Sequence, residues 1–138
     1  MPEGQPTESF VNVPAEVRIP FLNKFTKNCR ILQGPRNPDC GNGRYYYVIQ
    51  SFDDDGVLTH ELPIHFQEGA LTENPHHNGI FGVALASVLI DHLESYQDGD
   101  FASDESAQAI IHFKEGVHWL CARADDRATR GVLGKHQK

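Results

Sequence analysis

Two stretches in the second half of the chain repeat their apolar residues at helical spacing, and only a short break parts them. From Ile80 to Gln97 the stripe runs through Phe81, Ala84, Leu85, Val88, Leu89, His92, Leu93 and Tyr96. After Ser103 it runs through Ala107, Ile110, Phe113, Val117, Leu120, Cys121 and Ala124. Recurrence at three and four residues marks amphipathic helices. About five residues join the two patterns, which forces an antiparallel hairpin. Asp98-Gly99 predicts a C-terminal cap for the first helix. Ser103 predicts an N-cap for the second, with Asp104 and Glu105 in the turn where the macrodipole favours acids. Gly131 is expected to end that helix. A two-helix hairpin cannot hide both of its stripes. Ile80–Ile90 is apolar nearly all round, so the pattern needs a sheet, a second subunit or both. A homo-oligomer formed through the hairpin is the expectation.

The first half reads as strands. Phe25–Leu32 predicts one, and Tyr45–Phe52, rich in aromatic and β-branched residues, predicts another. Asp53-Asp54-Asp55-Gly56 is a hairpin turn signal. Val57–Phe66 then alternates, with Leu58, His60, Leu62, Ile64 and Phe66 on one face, and Pro63 marks an edge or a bulge. Residues 34–43 are dense in turn formers and predict a loop. The fold class is therefore α+β: a small N-terminal antiparallel β-sheet followed by a C-terminal antiparallel two-helix hairpin. The expected organisation is an arm and sheet over residues 1–66, a polar connector over 67–79, and the hairpin with a basic tail over 80–138, all in one domain.

Charge is distributed unevenly. The net charge of −7 divides into +2 over residues 1–44, −12 over 45–113 and +3 over 114–138, and the central segment holds no Lys or Arg. A long nucleic acid needs an extended basic track, and this chain has none. A small anion needs only a few placed arginines. Arg123, Arg127 and Arg130 lie at spacings of four and three near the end of the second helix, followed by Gly131 and Gly134. That cluster points to an anion site. By residue type alone the same arginines could pair with Asp125, Asp126 or a neighbour's acids.

Other classes are set aside on composition. The most apolar stretch, Ile80–Leu93, is broken by Ser87 and Asp91, so no membrane span is expected. Residues 1–4 carry neither the basic nor the apolar region of a secretory signal. Three cysteines without a CxxC pair fit a reducing cytoplasm and give no structural zinc. His76-His77 with Glu73, and His112 with Glu115 or His118, lack the spacing of a zinc motif, so no metal and no cofactor are expected. Ser103 is better explained as a cap than as a nucleophile, which gives no catalytic residue.

The connector Phe66-Gln67-Glu68-Gly69, the Asn78-Gly79 pair, the turn Tyr96-Gln97-Asp98-Gly99-Asp100-Phe101 and the helix carrying Trp119-Leu120 and Arg123 occur in a characteristic order. They close on Arg127-x-x-Arg130-Gly131-Val132-Leu133-Gly134. Over residues 60–138 this order resembles the hairpin domain shared by phage anti-defence proteins that counter the bacterial Thoeris and CBASS systems. With a β-sheet ahead of the hairpin, the chain is most similar to the Thoeris branch. Ala70-Leu71-Thr72 and Leu133 depart from the family pattern, which has Pro-Ile-Lys and Glu there.

The resemblance implies a phage protein that acts in the host bacterial cytoplasm. It would bind cyclic nucleotide second messengers, namely cyclic ADP-ribose isomers or CBASS cyclic oligonucleotides, without cleaving them, and would assemble as a dimer or hexamer. In such a site Phe66 can stack on a base, a contact worth roughly 1–3 kcal/mol. Asn78 can read a base edge or ribose. Arg127 and Arg130 can each grip a phosphate, with Arg123 and Arg44 as weaker candidates, while Gly131 and Gly134 allow close backbone approach. By type alone Phe66 and Trp119 are core residues, Asn78-Gly79 a turn, Gly131 a cap and Cys121 a small buried residue. An enzyme that degrades or modifies such a nucleotide, using the histidine-rich connector, remains the alternative.

Overall fold

The computed structural model describes residues 15–17, 27–69 and 77–131. The chain forms two compact units, Met1–Gly69 with His77–Gly79, and Ala70–His76 with Ile80–Lys138.

The first unit is built on a four-stranded antiparallel sheet. Its strands are β1 (Ala15–Glu16), β2 (Cys29–Gln33), β5 (Tyr46–Phe52) and β6 (Leu58–His65), in the spatial order β1-β2-β5-β6. The turn-rich stretch between β2 and β5 is a loop that holds a small ladder of its own. There β3 (Arg36–Asn37) pairs with β4 (Gly43–Arg44) around a single 3-10 turn at Pro38–Cys40. Asn37 starts that turn by accepting a hydrogen bond from the Asp39 N–H at 3.0 Å, and Gly41 and Asn42 leave it in left-handed conformations. The acidic turn after β5 behaves as its residues predict. The Asp53 carboxylate accepts from the N–H groups of Asp55 and Val57, both at 2.9 Å, and Gly56 takes φ +81.

Pairing of β5 with β6 sets Val48 opposite Pro63 and Gln50 opposite Glu61. Pro63 has no N–H to give, and β6 is an edge strand where that costs little. On one face a polar row crosses three strands. Arg30 donates to the Gln50 side-chain oxygen at 2.8 and 3.0 Å, and Gln50 donates to Glu61 at 2.7 Å. Gln50 is buried, and the row satisfies it at both ends. Among the described residues, Val48 and Ile64 are the buried apolar residues of the sheet. The face carrying Leu58 and Leu62 is less covered than its alternation suggests, with Leu62 52% exposed.

The second unit holds the hairpin, α1 (Gly82–Ser95) and α2 (Asp104–Thr129). Lys114 and Glu94 bridge the helices at 2.9 Å. Ser103 caps α2 as expected, its hydroxyl accepting from the Ser106 N–H at 3.1 Å. Gly131, at φ +72, follows the end of α2 as expected.

Three expectations are corrected. The first helix ends at Ser95, before Gln97, so residues 96–103 form a longer turn than the spacing predicts. Gln97 is the reason, because its side-chain amide clasps the Ser103 backbone, donating to the carbonyl and accepting from the N–H, both at 3.1 Å. Gly99 is not in the left-handed conformation of a helix cap. Finally, Trp119 is 72% exposed and Cys121 is exposed, where both are core residues by type. The length mismatch explains this, since α1 has 14 residues and α2 has 26. At 1.5 Å per residue, about 18 Å of α2 has no α1 alongside. Burial in the hairpin centres on Ile90 and Ile110.

Candidate ligand site

The end of β6 and the return of the connector meet within the first unit. Phe66 follows β6, and its N–H donates to the Tyr45 carbonyl at 2.8 Å. Its ring stands edge-on to Tyr47, with centroids 5.9 Å apart, and is only partly buried. Asn78 comes back beside it. The Asn78 side chain accepts from the Glu68 N–H at 2.8 Å and donates to the Glu68 carbonyl at 2.6 Å. The Asn78 N–H donates to the Gln67 side-chain oxygen at 3.2 Å. Gly79 then crosses so close to the strand end that an added Cβ would lie 2.4 Å from the His65 carbonyl oxygen and 2.6 Å from the Phe66 carbonyl carbon. Only glycine fits there. Phe66 and Asn78, 12 positions apart in the sequence, are thus held together as a pair.

Around this pair lies a polar cluster. The Glu68 carboxylate accepts from the Asn37 side-chain amide at 2.6 Å and approaches His65 Nε2 at 3.3 Å. His65 stacks on Tyr46 with centroids 4.0 Å apart. Burial raises the Tyr46 phenol above its ordinary pKa, and the nearby Glu68 charge adds to the shift. Tyr45 is raised first by burial, then by Cys40 and Glu68, and its hydroxyl donates to the Cys40 carbonyl at 2.6 Å. Arg44 donates to the Gly34 carbonyl at 2.6 Å, which ties its guanidinium to the loop.

The arginines belong to the second unit. Arg123, Arg127 and Arg130 follow one another along the last turns of α2, with Arg127 partly buried and the other two exposed. Arg130 pairs with Asp126 at 3.0 Å, one turn back. An exposed i,i+4 pair of this kind contributes little stability. Gly131 is exposed immediately after them. Gly134, Leu133, the Ala70-Leu71-Thr72 stretch and His76 lie outside the described residues. His112 and Glu115 lie 3.7 Å apart on the exposed side of α2. No group of three or more His, Cys, Asp or Glu side chains among the described residues is placed to hold a metal ion. No helix among them is long and apolar enough to cross a membrane.

Residues 60–125 match the family model of the Acb2/Tad1 hairpin domain. Over that segment the chain is similar to the Acb2/Tad1 hairpin domain. The resemblance read from the connector, the turn and the second helix is borne out over this segment. The match begins inside β6, takes in Phe66, Asn78, α1 and the part of α2 that carries Arg123, and stops inside α2 just short of Arg127. A relative, "Thoeris anti-defense 1" of Bacillus phage SBSphiJ7, is 36% identical over 75 residues. That alignment covers 54% of this chain and 52% of the relative, so the chain spans about half the length of the curated relative it matches. Within the matched segment, Glu68 and Gly79 are contributors that spacing does not reveal. Gly79 reads as half of an Asn-Gly turn, and the Glu68–Asn78 clasp joins residues ten apart across a connector without periodicity.

Proposed function

We propose that this protein is a phage-encoded immune-evasion factor that binds and sequesters a cyclic nucleotide signal in the host bacterial cytoplasm without cleaving it. The observation that carries the reading is the Acb2/Tad1 hairpin domain over residues 60–125, supported by the likeness to a phage protein named for Thoeris anti-defence. The signal class is the cyclic ADP-ribose isomers of Thoeris, with CBASS cyclic oligonucleotides as the wider set.

The ligand-binding residues are Phe66, Asn78, Arg123, Arg127, Arg130, Gly131 and Gly134. Their chemistry suits a nucleotide. An aromatic ring offers a stacking face, an amide both donates and accepts, and guanidinium groups grip phosphate with paired hydrogen bonds. Ring, amide and guanidinium groups stack, hydrogen-bond and pair with anions, and none of them is a nucleophile. The protein works as a homo-oligomer, dimer or hexamer. The exposed apolar surface of the hairpin supports this, with Val88 at 68% and Trp119 at 72% exposure.

The test is ligand recovery. Protein mixed with a cyclic ADP-ribose isomer is heat-denatured, and the released nucleotide is identified by mass spectrometry. Intact ligand at no more than stoichiometric amount is expected. Altered nucleotide, or turnover of excess ligand, favours the degrading enzyme instead. Arg127→Ala with Arg130→Ala should weaken binding at least about tenfold, since hydrogen bonds to charged groups contribute roughly 1.5–3 kcal/mol. The oligomer mass by light scattering should not change.

A further inference from the structure

We propose that Glu68 is a positioning residue that sets Phe66 and Asn78 for ligand; the proposal rests on the cyclic-nucleotide reading of that pair. Glu68 lies two residues beyond Phe66. Its carboxylate is anchored on two sides, by the Asn37 amide at 2.6 Å and by His65 Nε2 at 3.3 Å. Both anchors are themselves held. Asn37 caps the 3-10 turn through the Asp39 N–H, and its carbonyl accepts from the Asn42 N–H at 2.9 Å. His65 is stacked on Tyr46. The Glu68 side chain is 20% exposed, and in such a setting charge-assisted hydrogen bonds are strong.

The main chain of Glu68 then does the orienting. Its N–H and carbonyl clasp the Asn78 amide from both ends, at 2.8 and 2.6 Å. Only one orientation of that amide satisfies the clasp, because the flipped form would set donor against donor and acceptor against acceptor. A side-chain amide has two donor hydrogens and two acceptor lone pairs, so the clasp leaves each end with capacity for a ligand contact in a fixed direction. The Asn78–Gly79 return also lies against the Phe66 carbonyl, which limits where that residue can move. The side chain of Glu68 therefore acts through its own backbone. It ties the 3-10 loop, the end of β6 and the connector return into one frame, and it does so without contacting the ligand.

The experiment compares wild type with Glu68→Ala, Glu68→Gln, Asn37→Ala and the Asn37→Ala/Glu68→Ala double variant. Two quantities are read, amide hydrogen exchange at Glu68 and Asn78 without ligand, and affinity for a cyclic ADP-ribose isomer by calorimetry. Glu68→Ala and Asn37→Ala should each speed the exchange and weaken the affinity by about tenfold. The double variant should lose less than the sum of the two singles, as for residues that share one contact. Glu68→Gln should fall between wild type and Glu68→Ala in both, because its amide oxygen still accepts from Asn37 but without the carboxylate's charge. Unchanged exchange in Glu68→Ala overturns the proposal, as does faster exchange with unchanged affinity. If wild type binds no cyclic nucleotide while the exchange pattern holds, the functional reading fails and the frame itself stands.

Discussion

Gly79 shows how much one residue can decide in this fold. A Cβ at position 79 would overlap main-chain atoms of His65 and Phe66, which cannot rotate away as a side chain could. Gly79→Ala should therefore destabilise the protein by about 1–3 kcal/mol, the usual cost of overpacking, seen as a lower urea midpoint. The two raised tyrosines make a second prediction at this scale. Folding favours the neutral phenols of Tyr45 and Tyr46. Their contribution is complete below the unfolded phenol pKa of about 10 and is lost as pH rises through their higher folded values. Thermal stability should fall as pH climbs past about 10, and Tyr46→Phe should flatten that fall. A pH-independent melting temperature in this range would refute the assignment.

At the scale of elements, the hairpin was legible because its signals are local. Ser103, Asp104 and Glu105 announce the start of α2, and Gly131 marks its end. Ser103→Ala should cost about 1 kcal/mol, with Ser103→Asp close to wild type in the same denaturant titration. The turn before it was less legible. Gln97 has good helix propensity, but its amide is used across the turn on Ser103, and that tertiary bond ends α1 two residues early. The sheet follows the same division. Alternation and the acidic turn identify β5 and β6, and Pro63 announces the edge. The order β1-β2-β5-β6 and the polar row Arg30–Gln50–Glu61 depend on pairing between distant segments.

For the whole molecule, the deciding quantity is apolar surface left open. Val88, Trp119, Leu120 and Phe113 are all at least 41% exposed on the hairpin. If that surface joins protomers, Trp119→Asp combined with Val88→Asp should lower the mass measured by light scattering toward the protomer. A change of this kind should leave the sheet unit folded by circular dichroism, because these residues lie in the other compact unit. An unchanged mass would place the assembly surface elsewhere. Periodicity, capping residues and turn chemistry, all read within a few neighbours, determined the α+β class, the two helices, the strand hairpin and the family resemblance. They also placed three arginines on the end of one helix. Only the tertiary structure decided that Asn78 is clasped by Glu68, that Glu68 is anchored on Asn37 and His65, and that Gly79 admits no side chain. Apart from the His65–Glu68 contact, those contacts join residues ten to 31 positions apart through hydrogen-bond geometry and close backbone approach, which no local pattern encodes.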